Sequence, residues 1–289
     1  MIDYIIFHDK CSDGKMSAAV MFNYLAEHSD SEVKVLPYNY GDPAPILDVN
    51  TDNVYVVDFS FHGEALAHVS KNSNKVIIID HHKGALEKME ATSPLLNNVE
   101  IHFNSAKSGA HLTWEYCYPD VEVPSVVLDV SDRDMWKFLR PNSKATHLGL
   151  SGYTYLDVAQ SDFFTEEGYQ NLVDNRGKPR LEFSEHMNRT SAKIAGTTEV
   201  LGRRIYVVNC HMQQCSDVGH LIIDQEQAES SVVMVYMINA DTSVKLSFRS
   251  TDGSARAFAN HFGGGGHDNA AGAEVSFDTF SLILTGEYQ

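Results

Sequence analysis

The chain of 289 residues is short of positive charge, with 22 Lys and Arg against 39 Asp and Glu and a formal net charge of −17. Such a deficit argues against long duplex nucleic acid as a partner, since its binders usually carry a broad basic face. It also works against adsorption to an anionic membrane surface. Long apolar runs are missing: the longest, residues 232–238 in SVVMVYMINA, falls far below the roughly 20 residues that span a bilayer. The first residues, MIDYIIFHDK, carry neither the cationic start nor the small-residue cleavage site of a secretory signal. Cysteine is scarce. Cys11, Cys117, Cys210 and Cys215 make no dense disulfide framework, so a reducing cytoplasm is the expected compartment. What remains is an ordinary globular mix, 43% apolar and 21% charged, long enough for one large or two modest domains. One abundance is unusual: 14 histidines.

The first 80 residues alternate strand and helix signals. Residues 4–8 (YIIFH), 33–36, 54–59 and 76–79 are short, nearly continuous apolar runs, as in strands buried on both faces. Helix-length segments lie between them, such as the one after DKCSDG with Ala18, Phe22 and Leu25. This alternation predicts βαβ units and a parallel sheet, whose ligands bind at the carboxyl ends of the strands. The fold class is therefore α/β. The sequence predicts an N-terminal parallel-sheet domain over 1–140, a helical or loop linker over 141–195, and a smaller C-terminal α/β domain over 196–289. In the last, strands are expected at 204–208, 231–238 and 244–248, and helices at 216–227 and 254–261.

Three of the predicted strands end on metal-capable residues: His8, Asp58 and Asp80. Asp80-His81-His82 directly follows the run VIII and brings a carboxylate and two imidazoles to one sheet edge; taken alone, the tripeptide reads as a solvated loop. Asp13 stands in the turn behind His8. Asp132 follows the apolar run 126–130, with Asp134 as a rival two residues on. Acids and imidazoles gathered from separate segments suit Mn²⁺ or a related divalent ion.

In this order FHDKCSDG, VVDFS, DHHKGA, SGAHLTW and VSDRDMW resemble the motifs of the DHH phosphoesterases. FGGGGHDNAAGAE is similar to the signature of the DHH-associated C-terminal domain. The resemblance runs from about Phe7 to Glu274. It implies a hydrolase dependent on Mn²⁺, with two divalent ions and an active site in the cleft between two lobes. Matched residue by residue, it makes His8, Asp13, Asp58, His81 and Asp132 the metal ligands, with Asp58 bridging the two ions. His82 matches the phosphate-side histidine that stabilises charge or protonates the leaving oxygen. Asp80 takes part by orienting the imidazoles, with a ligand role left open. In the second lobe, Arg249, His267 and the glycine loop with Gly265 and Gly266 would meet the substrate. Ser108-Gly109 opens an expected helix whose amides suit phosphate, although helix capping is the commoner explanation.

One position departs from the family pattern. Many members carry Asp-x-Asp where this chain has Cys11-Ser12-Asp13. Cys11 as a thiolate ligand would favour softer ions such as Zn²⁺ or Fe²⁺. As a bystander it would leave the first site weaker. Asp9 is a third candidate for the missing carboxylate, although strand alternation turns it to the other face. The resemblance, with a chain length like that of the compact nanoRNase-like members, implies hydrolysis of phosphodiester bonds in short oligonucleotides or dinucleotides to mononucleotides. The alternatives are 3′-phosphoadenosine 5′-phosphate, a cyclic dinucleotide, polyphosphate, or nucleotide binding around a weakened metal centre. The expected partner is a short oligonucleotide or nucleotide, with no long duplex and no membrane; the oligomeric state is left open.

Overall fold

The computed structural model describes residues 1–9, 11–90, 96–224 and 230–288. The chain divides into two compact units, Met1–Leu181 and Glu182–Gln289.

In the first unit, β1 (Ile2–His8), β2 (Glu32–Tyr38), β3 (Thr51–Val57), β4 (Lys75–Asp80) and β5 (Val99–Phe103) form a parallel sheet in the order β2-β1-β3-β4-β5. Its helices are α1 (Ser12–His28), α2 (Gly63–Lys71), α3 (Lys83–Glu90), α4 (Gly109–Cys117), α5 (Ser125–Asp134), α6 (Ser143–Leu150), α7 (Tyr155–Ala159) and α8 (Glu166–Leu172). The near-continuous apolar runs are explained by two-sided burial. Ile5, Phe7, Tyr55, Val57, Ile77 and Ile79 enter one core, while Tyr4, Ile6, Val54, Val56, Val76 and Ile78 enter another. The segment expected as a linker, 141–195, is largely helical. Its Ala145, Leu150, Val158, Ala159, Tyr169 and Leu172 share the core of Ile5 and Val57. It continues into α9 (Lys178–Lys193), inside which the division between the units falls.

The second unit holds a mixed sheet built from β6 (Gly196–Val200), β7 (Arg203–Asn209), β8 (Val232–Ile238), β9 (Ser243–Ser250), β10 (Gly265–His267) and β11 (Ala270–Ser276). Its order is β10-β11-β9-β8-β7-β6, with β7 and β8 parallel and the other pairs antiparallel. Val218 and Ile222 of α10 (Cys215–Ile223) pack with Val208, Val233 and Val235 on one face. Phe258 of α11 (Ala255–His261) and Phe280 of α12 (Phe277–Thr285) pack with Met234, Leu246 and Phe248 on the other. Helix α10 is the one expected at 216–227; residues 225–227 lie outside the described residues. Among the described residues no helix is long and apolar enough to cross a membrane.

Candidate metal centre

In the order β2-β1-β3-β4-β5 the chain leaves β1 toward one side of the sheet and returns at β3 on the other. That reversal opens a crevice at the carboxyl ends of β1 and β3. His8 ends β1, and Asp58 immediately follows β3. Asp58 is held in the left-handed region, at φ 53°, which costs a non-glycine residue roughly 1–2 kcal/mol. Its amide still donates to Ile79 O at 2.9 Å. Gly109 makes room for this turn: a Cβ there would lie 2.5 Å from Asp58 Cβ. The same helix start grips Asp13, whose carboxylate accepts from Gly109 N at 2.7 Å and Ala110 N at 3.0 Å.

Asp58, 1% exposed, stands between two groups of donors. Its Oδ2 lies 3.1 Å from Cys11 Sγ and 3.8 Å from His8 Nδ1, and those two atoms are 3.5 Å apart. Its Oδ1 lies 3.2 Å from His81 Nε2. That nitrogen is also 3.8 Å from Asp13 Oδ2 and 3.5 Å from Asp134 Oδ2. His8, Cys11 and Asp58 form one set of donors within 4.8 Å of one another, and Asp13, His81 and Asp134 form another. A third set joins Asp58, Asp80, His81 and His82. Asp80 accepts at Oδ1 from His82 Nδ1 at 2.7 Å and from His81 N at 2.7 Å, while Ser60 Oγ donates to its Oδ2. Asp80 is thus hydrogen-bonded to both His81 and His82 and also belongs to the third donor set.

Two observations test whether these residues fit divalent ions. Asp58 Oδ1 and His81 Nε2 are buried without a hydrogen bond, although they face each other at 3.2 Å. Leaving such groups unpaired is costly. The acids also crowd one another. Burial, then the charges of Asp13 and Asp134, push the Asp58 carboxyl well up. Burial and the Asp13 charge push Asp134 up to about 7. Three crowded carboxylates, relieved only in part by His81, His82 and Arg133, are what a pair of cations would neutralise, so oxygen, nitrogen and sulfur donors here suit divalent metals.

The structure corrects two expected site residues. Asp132 is outside every donor set found among the described residues: its carboxylate accepts from Leu139 N at 2.9 Å, Arg140 N at 3.1 Å and Ser143 Oγ. Two residues along a helix turn a side chain by about 200°, so Asp132 and Asp134 of α5 leave on nearly opposite sides, and Asp134 is the one that reaches His81. Ser108 is fully buried, and its Oγ accepts from His111 N as the cap of α4. The Gly109 and Ala110 amides already donate to Asp13, so capping is the better account of this serine. Asp9 joins none of the donor sets among the described residues. Cys11 does, and its Sγ also caps α1 by accepting from Gly14 N at 3.2 Å.

In the second unit, register pairs His267 with Ala270 and Ala270 with Arg249. The three therefore share one face of the sheet, with His267 and Arg249 two strand spacings, about 10 Å, apart. Arg249 donates to Ser216 Oγ, Ser247 Oγ and Phe248 O, and no carboxylate pairs with it among the described residues. Gly265 and Gly266 are exposed, and Gly266 has φ 143°, where a Cβ would meet Ala271 Cα at 2.6 Å.

Sequence reasoning missed Tyr40. Its ring lies 5.9 Å from that of His8 and 6.3 Å from that of His82, although nothing in the loop after β2 signals it. Trp136, which has Met135, Phe138 and Leu139 as sequence neighbours, is 37% exposed at φ 53°, with the Arg133 guanidinium 4.3 Å over its ring.

The fold and these donors define a two-unit α/β protein with a cluster suited to divalent ions. Comparison with known proteins gives the family: the description "DHH family, N-terminal domain" matches residues 3–132, and "DHHA1 domain" matches residues 205–283. The chain is 30% identical over 298 residues to uncharacterized protein R106 of Acanthamoeba polyphaga mimivirus, covering 95% of this chain and 68% of that protein. The chain belongs to the DHH family of phosphoesterases. Among solved structures it shares its fold with a pGpG-specific phosphodiesterase, PggH, from Vibrio cholerae. The TM-score is 0.54 at 12% identity, over 99% of this chain and 97% of that one.

Proposed function

We propose that the protein is a divalent-metal-dependent phosphodiesterase that hydrolyses dinucleotides or short oligonucleotides to mononucleotides, with Mn²⁺ as its working ion. The observation that carries this reading is the pair of donor sets meeting at Asp58, with orphaned Asp58 Oδ1 and His81 Nε2 between crowded acids. Metals bound there would supply Lewis-acid polarisation of a phosphoryl oxygen and a water acidic enough to attack near neutral pH. His8 and Cys11 would hold one ion, and Asp13, His81 and Asp134 the other, with Asp58 shared.

His82 is the proton donor to the leaving oxygen in this reading. Burial works against its charge, but the hydrogen bond and charge of Asp80 outweigh burial and raise its proton affinity. The same bond commits Nδ1 to Asp80 and leaves Nε2 for substrate. Arg249, which pairs with no carboxylate among the described residues, and His267 are the residues of the second unit proposed to hold substrate phosphate. A short substrate agrees with the net charge of −17, which disfavours a long strand along the surface. That the structural relative PggH is named for a linear dinucleotide supports the same class.

The test is a panel of linear dinucleotides, longer single strands, cyclic dinucleotides, 3′-phosphoadenosine 5′-phosphate and polyphosphate, each with Mn²⁺, Mg²⁺, Co²⁺ and Zn²⁺. Linear dinucleotides should turn over fastest, and Asp58→Asn should abolish turnover with the fold kept. Faster cleavage of long strands would overturn the substrate class. Absence of hydrolysis throughout the panel would leave a nucleotide-binding protein.

A further inference from the structure

The sulfur of Cys11 stands where an oxygen would complete an all-carboxylate centre. The other three cysteines have apolar or internal surroundings: Cys117 lies in the first unit's core, and Cys210 and Cys215 in a cluster around α10. Cys11 Sγ instead faces an imidazole and a buried carboxylate. Its distances to His8 Nδ1 and Asp58 Oδ2 are 3.5 and 3.1 Å, and the third edge of the triangle is 3.8 Å. Tetrahedral zinc, with bonds of about 2.0–2.3 Å, separates neighbouring sulfur, nitrogen and oxygen donors by about 3.3–3.6 Å. The three edges, 3.1, 3.5 and 3.8 Å, lie within about 0.2 Å of that range. The thiol now donates to Asp58 Oδ2, so a proton on sulfur stands between two atoms that a cation would join. Gly14 N donates to the same sulfur at 3.2 Å and fixes its position at the start of α1. Asp58 adds an independent observation: it is 1% exposed and its Oδ1 is buried without a hydrogen bond.

We infer that Cys11 binds metal as a thiolate, together with His8 and Asp58, and that it makes this position selective for a borderline or soft divalent ion such as Zn²⁺. The second position, with Asp13, Asp58, His81 and Asp134, has only oxygen and nitrogen donors and suits Mn²⁺. The centre is then built for two different ions. On binding, the sulfur–hydrogen bond is exchanged for a sulfur–metal bond, and the proton leaves to solvent.

The inference rests on the metal-dependent reading above, and the experiment separates the two. The full chain, stripped with a chelator, is titrated with Co²⁺ and followed by absorption, for wild type, Cys11→Ser and Cys11→Asp. Serine and aspartate both cap helices well, so α1 keeps its start in either variant. The wild type should show a near-ultraviolet sulfur-to-cobalt charge-transfer band that disappears in both variants. In competition with Mn²⁺, the zinc affinity of one position should fall about 100-fold or more in Cys11→Ser, at or beyond the upper end of losing an outer-sphere partner. Cys11→Asp should shift that position toward Mn²⁺. Cobalt spectra and zinc affinities that are the same in all three proteins would overturn thiolate ligation while leaving a metal-dependent enzyme. A wild type that binds none of Co²⁺, Zn²⁺ and Mn²⁺ would overturn both.

Discussion

Replacing Asp134 with asparagine should stabilise the metal-free protein at neutral to alkaline pH and at the same time weaken its response to metal. Burial and the Asp13 charge hold the Asp134 carboxyl at about 7, against an ordinary value of 3.8. A carboxyl raised in this way binds its proton more tightly in the folded chain than in the unfolded one. Stability is therefore greatest below the unfolded value and falls as the pH rises through the folded value. At about 1.4 kcal/mol per tenfold change in proton affinity, full ionisation would cost the folded state at most about 4 kcal/mol. The side chain is 27% exposed, and the rest of the residue is open to solvent, so screening reduces the expected cost to about 1–2 kcal/mol. Urea unfolding of wild type and Asp134→Asn, with chelator and with Mn²⁺, from about pH 3 to pH 8, measures this. With chelator the variant should gain close to nothing at about pH 3, where the carboxyl is protonated in both states, and the gain should grow as the unfolded carboxyl ionises and level off at about 1–2 kcal/mol by pH 8. Mn²⁺ should stabilise the wild type more than the variant. A variant that is less stable at every pH, or a gain that does not change with pH, would refute the crowded-carboxylate account.

Asp132→Asn should do the opposite. It weakens the bonds to Leu139 N, Arg140 N and Ser143 Oγ at a cost of about 1–3 kcal/mol, yet calorimetric metal affinity should stay within a few-fold of wild type. Gly109→Ala puts a methyl group 2.5 Å from Asp58 Cβ; about 1–3 kcal/mol of overpacking strain and a clear loss of metal affinity should appear together in denaturation and metal titrations. Ser108→Ala removes a helix cap worth about 1 kcal/mol. It should lower the melting temperature by a few degrees with KM unchanged, whereas a raised KM would return this serine to the substrate site.

The parallel sheet was legible because two-sided burial writes a plain signal: Tyr4 to Phe7, Val54 to Val57 and Val76 to Ile79 have no polar interruption. Strand ends were legible for the same reason. Once β1, β3 and β4 are located, His8, Asp58 and Asp80 must arrive at one edge of the sheet, and the histidines after Asp80 follow. Other contributions depend on contacts that local pattern does not encode. Tyr40 reaches His8 and His82 from a loop with no distinctive composition. At Ser108-Gly109 phosphate binding stayed open beside helix capping because the partner of the α4 amides, Asp13, is 96 residues from Gly109 in sequence. Trp136 sits among apolar neighbours in sequence, but a left-handed backbone at 136 and again at Phe138 brings it to the surface.

The choice between Asp132 and Asp134 shows where sequence reasoning stops. A strand alternates between two faces, so knowing one buried residue gives the direction of the next. A helix advances about 100° per residue, and two acids separated by one residue can be told apart only when the face turned toward the cluster is known. In α5 that face is set by the packing of Val126, Val127 and Val130 against the core and by the carboxylate bonds of Asp129 to Arg140, Thr146 and Tyr169. All three partners of Asp129 lie beyond the apolar run that drew attention to the segment. The direction of Asp134, the proposed last ligand, is thus set by a polar network that reaches from Asp129 into the 140–169 region. Changes to Arg140, Thr146 or Tyr169 should consequently weaken metal binding through the rotation of α5, even though none of them belongs to a donor set.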